Sequence, residues 1–187
     1  NINDYKEASL WLEKKNYTIL RMGRGAAEQL NYKSKSIIDY ANSNDSSDIF
    51  DIYLLKNCNF LISSDCGITI VPEIFNKPIL YTNWILIHRI PRYCNNCVVI
   101  FKKIYSNNKK IFLNLKEMIN LDVGNLNTPD IIKHHNLKIV DNTKEEILAA
   151  TVEMNERING TWKVSKLDND LQIKFWNMFG NSFFRSN

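Results

Sequence analysis

Phe60-Leu-Ile-Ser-Ser-Asp-Cys-Gly-Ile-Thr-Ile-Val-Pro-Glu-Ile-Phe-Asn-Lys-Pro-Ile-Leu-Tyr-Thr-Asn-Trp84 is the stretch whose reading decides the fold. Phe60-Leu61-Ile62 is a short apolar run of the kind that forms a strand buried on both faces. Ser63-Ser64-Asp65-Cys66-Gly67 follows, with small side chains and helix-capping types. Over residues 68–76 apolar side chains recur at helical spacing, among them Ile70, Val71, Ile74 and Phe75. Pro78 closes that helix, and Ile79-Leu80-Tyr81 opens the next strand. Strand, loop, helix and strand in this order put a loop and a helix N-terminus at the carboxyl end of a parallel strand. Free backbone N–H groups at such a point favour an anion. Open α/β sheets bind ligands along that edge.

Outward from this unit the chain keeps alternating. Upstream, residues 4–15 carry apolar positions at helical spacing, and Asn16 ends that helix. The β-branched and apolar run 17–22 reads as a strand, Gly23-Arg24-Gly25 as a turn, 26–30 as a short helix and 36–39 as a second strand. Asp45-Ser46-Ser47-Asp48 is an N-cap cluster ahead of a helix over 49–57. Downstream, 98–105 reads as one strand and 115–119 as a short helix, while 126–140 gives few signals. Thr143 with Glu146 three residues on is a capping box that starts a helix running to Ile158. A last helix covers 166–179 and stops at Gly180. The alternation predicts an α/β protein: a Rossmann-like parallel sheet with helices on both faces. Residues 1–142 form that domain in this reading. Residues 143–187 are helices that pack on it or on a domain missing from this chain.

Composition narrows the classes. A chain of 187 residues with 44% hydrophobic and 24% charged side chains suits one globular domain with an appended segment. Its longest apolar runs fall far short of the ~20 residues that span a bilayer, so no transmembrane segment is expected. No secretory signal is visible, and Asn1 in place of Met points to excision from something longer. A net charge of +4 suits an anionic small molecule but lacks the basic bias of a nucleic-acid binder. Cys94-Asn-Asn-Cys97 has zinc-knuckle spacing, yet Cys58 and Cys66 are no second close pair, and the nearest histidine is His88. The expectation is no metal, and reduced thiols in a cytoplasmic protein.

Two loops follow strands in this pattern. In the first, Arg21-Met22-Gly23-Arg24-Gly25, Gly23 and Gly25 permit close backbone approach to a ligand and Arg24 can bond a diphosphate. The Gly23-Arg24-Gly25 run lacks the third glycine of a dinucleotide fingerprint, so a nicotinamide cofactor is not supported. The second loop supplies Ser63, Ser64, Asp65 and Gly67. Glu73 lies on the second turn of the helix that follows, where a carboxylate can accept both hydroxyls of a ribose. His88 follows the next strand and can approach the same crevice. His134-His135 are adjacent, so on a regular element they point apart and make no metal pair.

Residues 17–24, the helix Asp48-Ile-Phe-Asp-Ile-Tyr-Leu-Leu55 and the run 60–83 resemble the C-terminal half of a bacterial glycosyltransferase family found in surface-polysaccharide clusters. That family shows a strand ending in Arg-Met-Gly, a helix with Asp-Ile-Tyr-Leu, and Ile-Ser-x-x-Gly leading to Pro, Phe and Lys-Pro. The likeness spans roughly residues 4–120 and extends more broadly to the nucleotide-sugar-binding domain of GT-B enzymes. It implies that Gly67 and the helix N-terminus hold a diphosphate and that Glu73 holds the ribose. Many GT-B enzymes carry a second loop glycine where this chain has Ile68. It further implies the donor half of an enzyme that moves a sugar from a nucleotide-diphosphate sugar to a glycan acceptor. Such an enzyme needs no bound metal or cofactor and works in the cytoplasm, including at the membrane periphery. The catalytic base would lie in an N-terminal acceptor domain. A nucleotide-sugar 2-epimerase and a non-catalytic nucleotide-sugar-binding module share the same loop-and-helix design.

Overall fold

The computed structural model describes residues 1–24, 28–32, 34–91, 96–125 and 127–179, and only the backbone of His88. In chain order the elements are α1 (Lys6–Lys14), β1 (Ile19–Leu20), β2 (Ile37–Ile38), α2 (Asp48–Asn57), β3 (Leu61–Ser63), α3 (Ile70–Ile74), β4 (Ile79–Trp84) and β5 (Cys97–Phe101). They continue with β6 (Lys103–Ser106), β7 (Ile111–Phe112), α4 (Leu115–Asn120), α5 (Thr128–His134), β8 (Leu137–Val140), α6 (Lys144–Ile158) and α7 (Lys166–Asn177). Among the described residues no helix is long and apolar enough to cross a membrane.

The strands of the quoted stretch form where its pattern puts them. β3, β4 and β5 form a parallel sheet with β4 in the middle, Leu61 opposite Ile79 and Ile79 opposite Cys97. Alternate residues of β4 point to opposite faces. Ile79, Tyr81 and Trp84 pack with Leu61, Val99 and Phe101 on one side. Leu80 packs with Ala150 and Met154 of α6 on the other. This is why the run 79–82 is buried on both faces. β1 and β2 make a separate parallel pair. An edge-on contact between Tyr17 and Phe60, with centroids 5.9 Å apart, brings the amino ends of β1 and β3 together.

The carboxyl end of β4 is a bulge. Asn83 adopts a left-handed backbone with φ +54°, and the register to β5 shifts between Tyr81 and Trp84. Asn142 locks the bulge. Its Oδ1 accepts the Asn83 N–H at 2.5 Å and its own N–H donates to Asn83 Oδ1 at 2.7 Å. Its Nδ2 donates to the Phe101 carbonyl at 2.8 Å. Thr143 then caps α6 with the reciprocal Glu146 bonds of a capping box, as the spacing predicts.

Three expectations need correction. The run 98–105 is two strands, not one. Lys102 sits between them, and its N–H bonds the Trp84 carbonyl at 2.8 Å before the chain enters a second sheet. That sheet is antiparallel, in the order β7-β6-β8, so the parallel sheet is only part of the architecture. The segment that gave few signals holds α5 and β8, with Lys103 opposite Val140. Finally, 28–30 are not helical; residues 26 and 27 of that expected helix, like Gly180 after the last one, lie outside the described residues.

The antiparallel half builds its own core from Ile87, Ile104, Leu113, Met118, Val123, Leu137 and Phe179, against which Phe175 and Trp176 pack. Gly124, with φ +100°, lets the chain pass close under the exit of β4. A Cβ there would meet the Ile87 nitrogen at 2.7 Å and the Ile85 carbonyl oxygen closer still. Elsewhere this glycine-poor chain uses asparagine for left-handed helix ends: Asn16, Asn76 and Asn136, with φ of 65°, 51° and 50°, follow α1, α3 and α5.

Candidate functional site

The 63–67 loop leaves β3 at the carboxyl edge of the parallel sheet. Ser63 anchors it: its carbonyl accepts Thr82 Oγ1 at 3.3 Å, and Thr82 Oγ1 lies 2.7 Å from the Tyr5 hydroxyl. The Ser63 hydroxyl donates to the Ser64 carbonyl at 3.0 Å and lies 3.2 Å from Cys66 Sγ. Ser64, Asp65, Cys66 and Gly67 are exposed. A Cβ on Gly67 would meet nothing within 4 Å, so the space above it is open.

The expected helix over 68–76 is shorter than its pattern. Gly67–Thr69 is a 3-10 turn and α3 has five residues. The Thr69 N–H and Oγ1 both close back on the Cys66 carbonyl, at 3.2 and 2.9 Å. A helix this short carries little macrodipole, so the loop's appeal to an anion rests on its few free amides.

Glu73, on α3, is half-buried rather than a fully solvated helix residue. The Tyr81 hydroxyl donates to Glu73 Oε1. Tyr81 is completely buried in β4, edge-on to Trp84 with centroids 5.0 Å apart. Burial first, and the Glu73 bond second, hold its phenol well above the ordinary tyrosine value, so it stays a neutral donor. The charge of Asp65 adds to that shift, which puts Asp65 within electrostatic range of the pair.

The arginines of the first loop are engaged elsewhere. Arg21, 11% exposed, places Nη1 3.3 and 3.2 Å from the two carboxylate oxygens of Asp39. Asp39 also accepts the Leu30 N–H and Asn42 Nδ2. Arg24, 63% exposed, pairs with Asp48 in the first turn of α2. Gly23 has φ +126° and open space around it, as a turn residue there needs. His88 lies in the short turn Ile87–Arg89; its side chain is outside the described part. The structure therefore groups Ser63, Ser64, Asp65, Gly67 and Glu73 at one sheet edge, and ties Arg21 and Arg24 to Asp39 and Asp48.

Sequence reasoning missed Tyr81 and Thr82 as parts of this edge. The available signal is their polarity inside a fully buried strand, because a buried hydroxyl requires a partner.

The cysteines also differ from expectation. Cys97 is disulfide-bonded, whereas Cys58 and Cys66 are free. The reduced-thiol expectation therefore holds for two of the cysteines and fails at Cys97. Among the described residues no cluster of three or more His, Cys, Asp or Glu could hold a metal ion.

Compared with known proteins, the chain matches no family model, no curated protein and no solved structure.

Proposed function

We propose that this domain binds a nucleotide-diphosphate sugar at the 63–67 loop. In this role it is the donor half of a GT-B type glycosyltransferase acting on a surface glycan. The observation that carries this is Glu73: a carboxyl held at the carboxyl edge of parallel strands, on the helix directly after an open loop of small residues. Open α/β sheets bind ligands outside the carboxyl ends of their strands, the edge from which the 63–67 loop leaves. The resemblance of residues 17–24, 48–55 and 60–83 to the polysaccharide-cluster family supports the same assignment. Glu73 would accept the ribose hydroxyls and the loop amides would meet the phosphates. The exposed Arg24 could leave Asp48 for a diphosphate at little cost, since exposed ion pairs contribute ~0–1 kcal/mol. Arg21, bonded to Asp39, would instead hold the first loop in shape.

A second reading is favoured by Asp65. Its negative charge beside the loop opposes a diphosphate and suits a module that holds the nucleoside part without catalysis. Calorimetry with UDP, GDP and uridine separates the two. Tighter binding of a diphosphate than of uridine supports the donor site; equal affinity supports the module. Absence of binding by all three, with the domain folded, defeats both.

A further inference from the structure

We propose that Tyr81 is a positioning residue for ribose recognition: its buried hydroxyl anchors Glu73 Oε1 and leaves Oε2 for the sugar diol. The inference rests on the donor-site reading. A glutamate on a five-residue helix has three side-chain torsions to fix before it can accept two hydroxyls at once. Ordering it on binding would cost affinity. Tyr81 removes that cost beforehand, because it cannot itself move. It is fully buried, its strand is bonded on both sides, and its ring rests edge-on against Trp84. Its neutral phenol can only help as a donor here, which fixes the role of Oε1 as acceptor. The carboxyl is thereby tied to the sheet through Oε1 in a residue that stays partly exposed.

A tyrosine that merely needed an acceptor for its buried hydroxyl would show the same bond. Ribose discrimination tells the two apart. The full 187-residue chain is titrated with UDP and GDP and with their 2′,3′-dideoxy forms, alongside Tyr81→Phe and thermal melts. The wild type should prefer the ribose form by roughly tenfold or more, as expected for hydrogen bonds to a charged acceptor. Tyr81→Phe should cut that preference to roughly threefold while dideoxy binding stays unchanged. If Tyr81→Phe keeps the full preference, or weakens both forms alike, Tyr81 is structural and the proposal fails while the donor site stands. Wild-type binding without discrimination removes the ribose role of Glu73 and the proposal together, and no wild-type binding removes the donor site with them. Glu73→Asp gives an independent check should Tyr81→Phe not fold. One methylene shorter, it keeps the charge but leaves Tyr81's reach, so it should also lose the preference; retention of the preference overturns the anchoring.

Discussion

β4 and β6 are both central strands, yet their sheets are held together differently. Around β4 the ties are polar and internal: Tyr5 to Thr82, Tyr81 to Glu73, Asn83 to Asn142, Arg21 to Asp39. Around β6 the interior is mainly apolar, aliphatic side chains with Phe179, and holds one buried polar tie, Gly124 N–H to Thr128 Oγ1; the charged ties, Lys103 to Glu146 and Lys109 to Glu117, lie toward the surface. The coverage differs too. The helices beside the parallel sheet leave Ile49 84% and Ile74 68% exposed, while in the antiparallel half it is an edge strand, β7, that exposes Ile111 and Phe112; both halves have fully buried centres, Ile79 to Tyr81 in one and Ile87, Ile104 and Val123 in the other. Apolar packing supplies stability without choosing a geometry, whereas hydrogen-bonded interior groups fix positions. The candidate site sits in the half whose positions are fixed.

Gly124→Ala tests the packed half most severely. A methyl there collides with backbone at Ile85 and Ile87 and strains a positive φ, so a loss of at least ~3 kcal/mol is expected. The melting temperature should drop by roughly 10 °C; a drop of a degree or two would mean the two halves are not in close contact at that turn. Asn142→Ala attacks the polar half. It strands the Asn83 N–H and the Phe101 carbonyl, for about 2–3 kcal/mol by denaturant titration. Arg21→Ala against Arg24→Ala sharpens the contrast inside one loop. The half-buried pair with Asp39 should cost about 2 kcal/mol, and the exposed pair with Asp48 less than ~0.5 kcal/mol. Equal costs would erase the distinction between interior and surface ties. The smallest effect is chemical. Before reduction, Cys58 and Cys66 should alkylate and Cys97 should not; Cys94 lies outside the described residues. Exposed Cys66 should react first, because burial raises the Cys58 thiol and lowers its thiolate fraction. Mass spectrometry of timed iodoacetamide reactions should find Cys66 modified on the order of tenfold faster.

The parallel half was legible because its physics is local. Phe60-Leu61-Ile62 and Ile79-Leu80-Tyr81 stand out as short apolar runs, Pro78 punctuates them, and the Thr143 and Glu146 spacing marks α6. The antiparallel half was not. Within 98–105 only Lys102-Lys103 mark the break, and what fixes it is a bond from Lys102 to Trp84 in another strand; β7 exposes both of its residues, so it has no alternation to read. At the site, Glu73 and the 63–67 loop could be picked out from their place after a strand. Their restraints could not, because Tyr81 reaches Glu73 from the next strand and Asp39 reaches Arg21 from the end of β2. Such partners are set by the register of strands, which no spacing within one segment records.

The link at Lys102 has a mechanical consequence. One residue joins the edge of the parallel sheet to the centre of the antiparallel one, with its N–H on Trp84 and its Nζ 2.7 Å from Asp141 Oδ1. There is no slack in that seam to absorb a rotation of either sheet. β8 returns across β6 and feeds α6, whose Ala150 and Met154 press on Leu80, so the load path closes into a ring. Neither half can then melt and leave the other standing. Tryptophan fluorescence, which sums Trp84 of β4 with Trp11, Trp162 and Trp176, and far-UV circular dichroism, which averages over every element, should trace one superimposable unfolding curve.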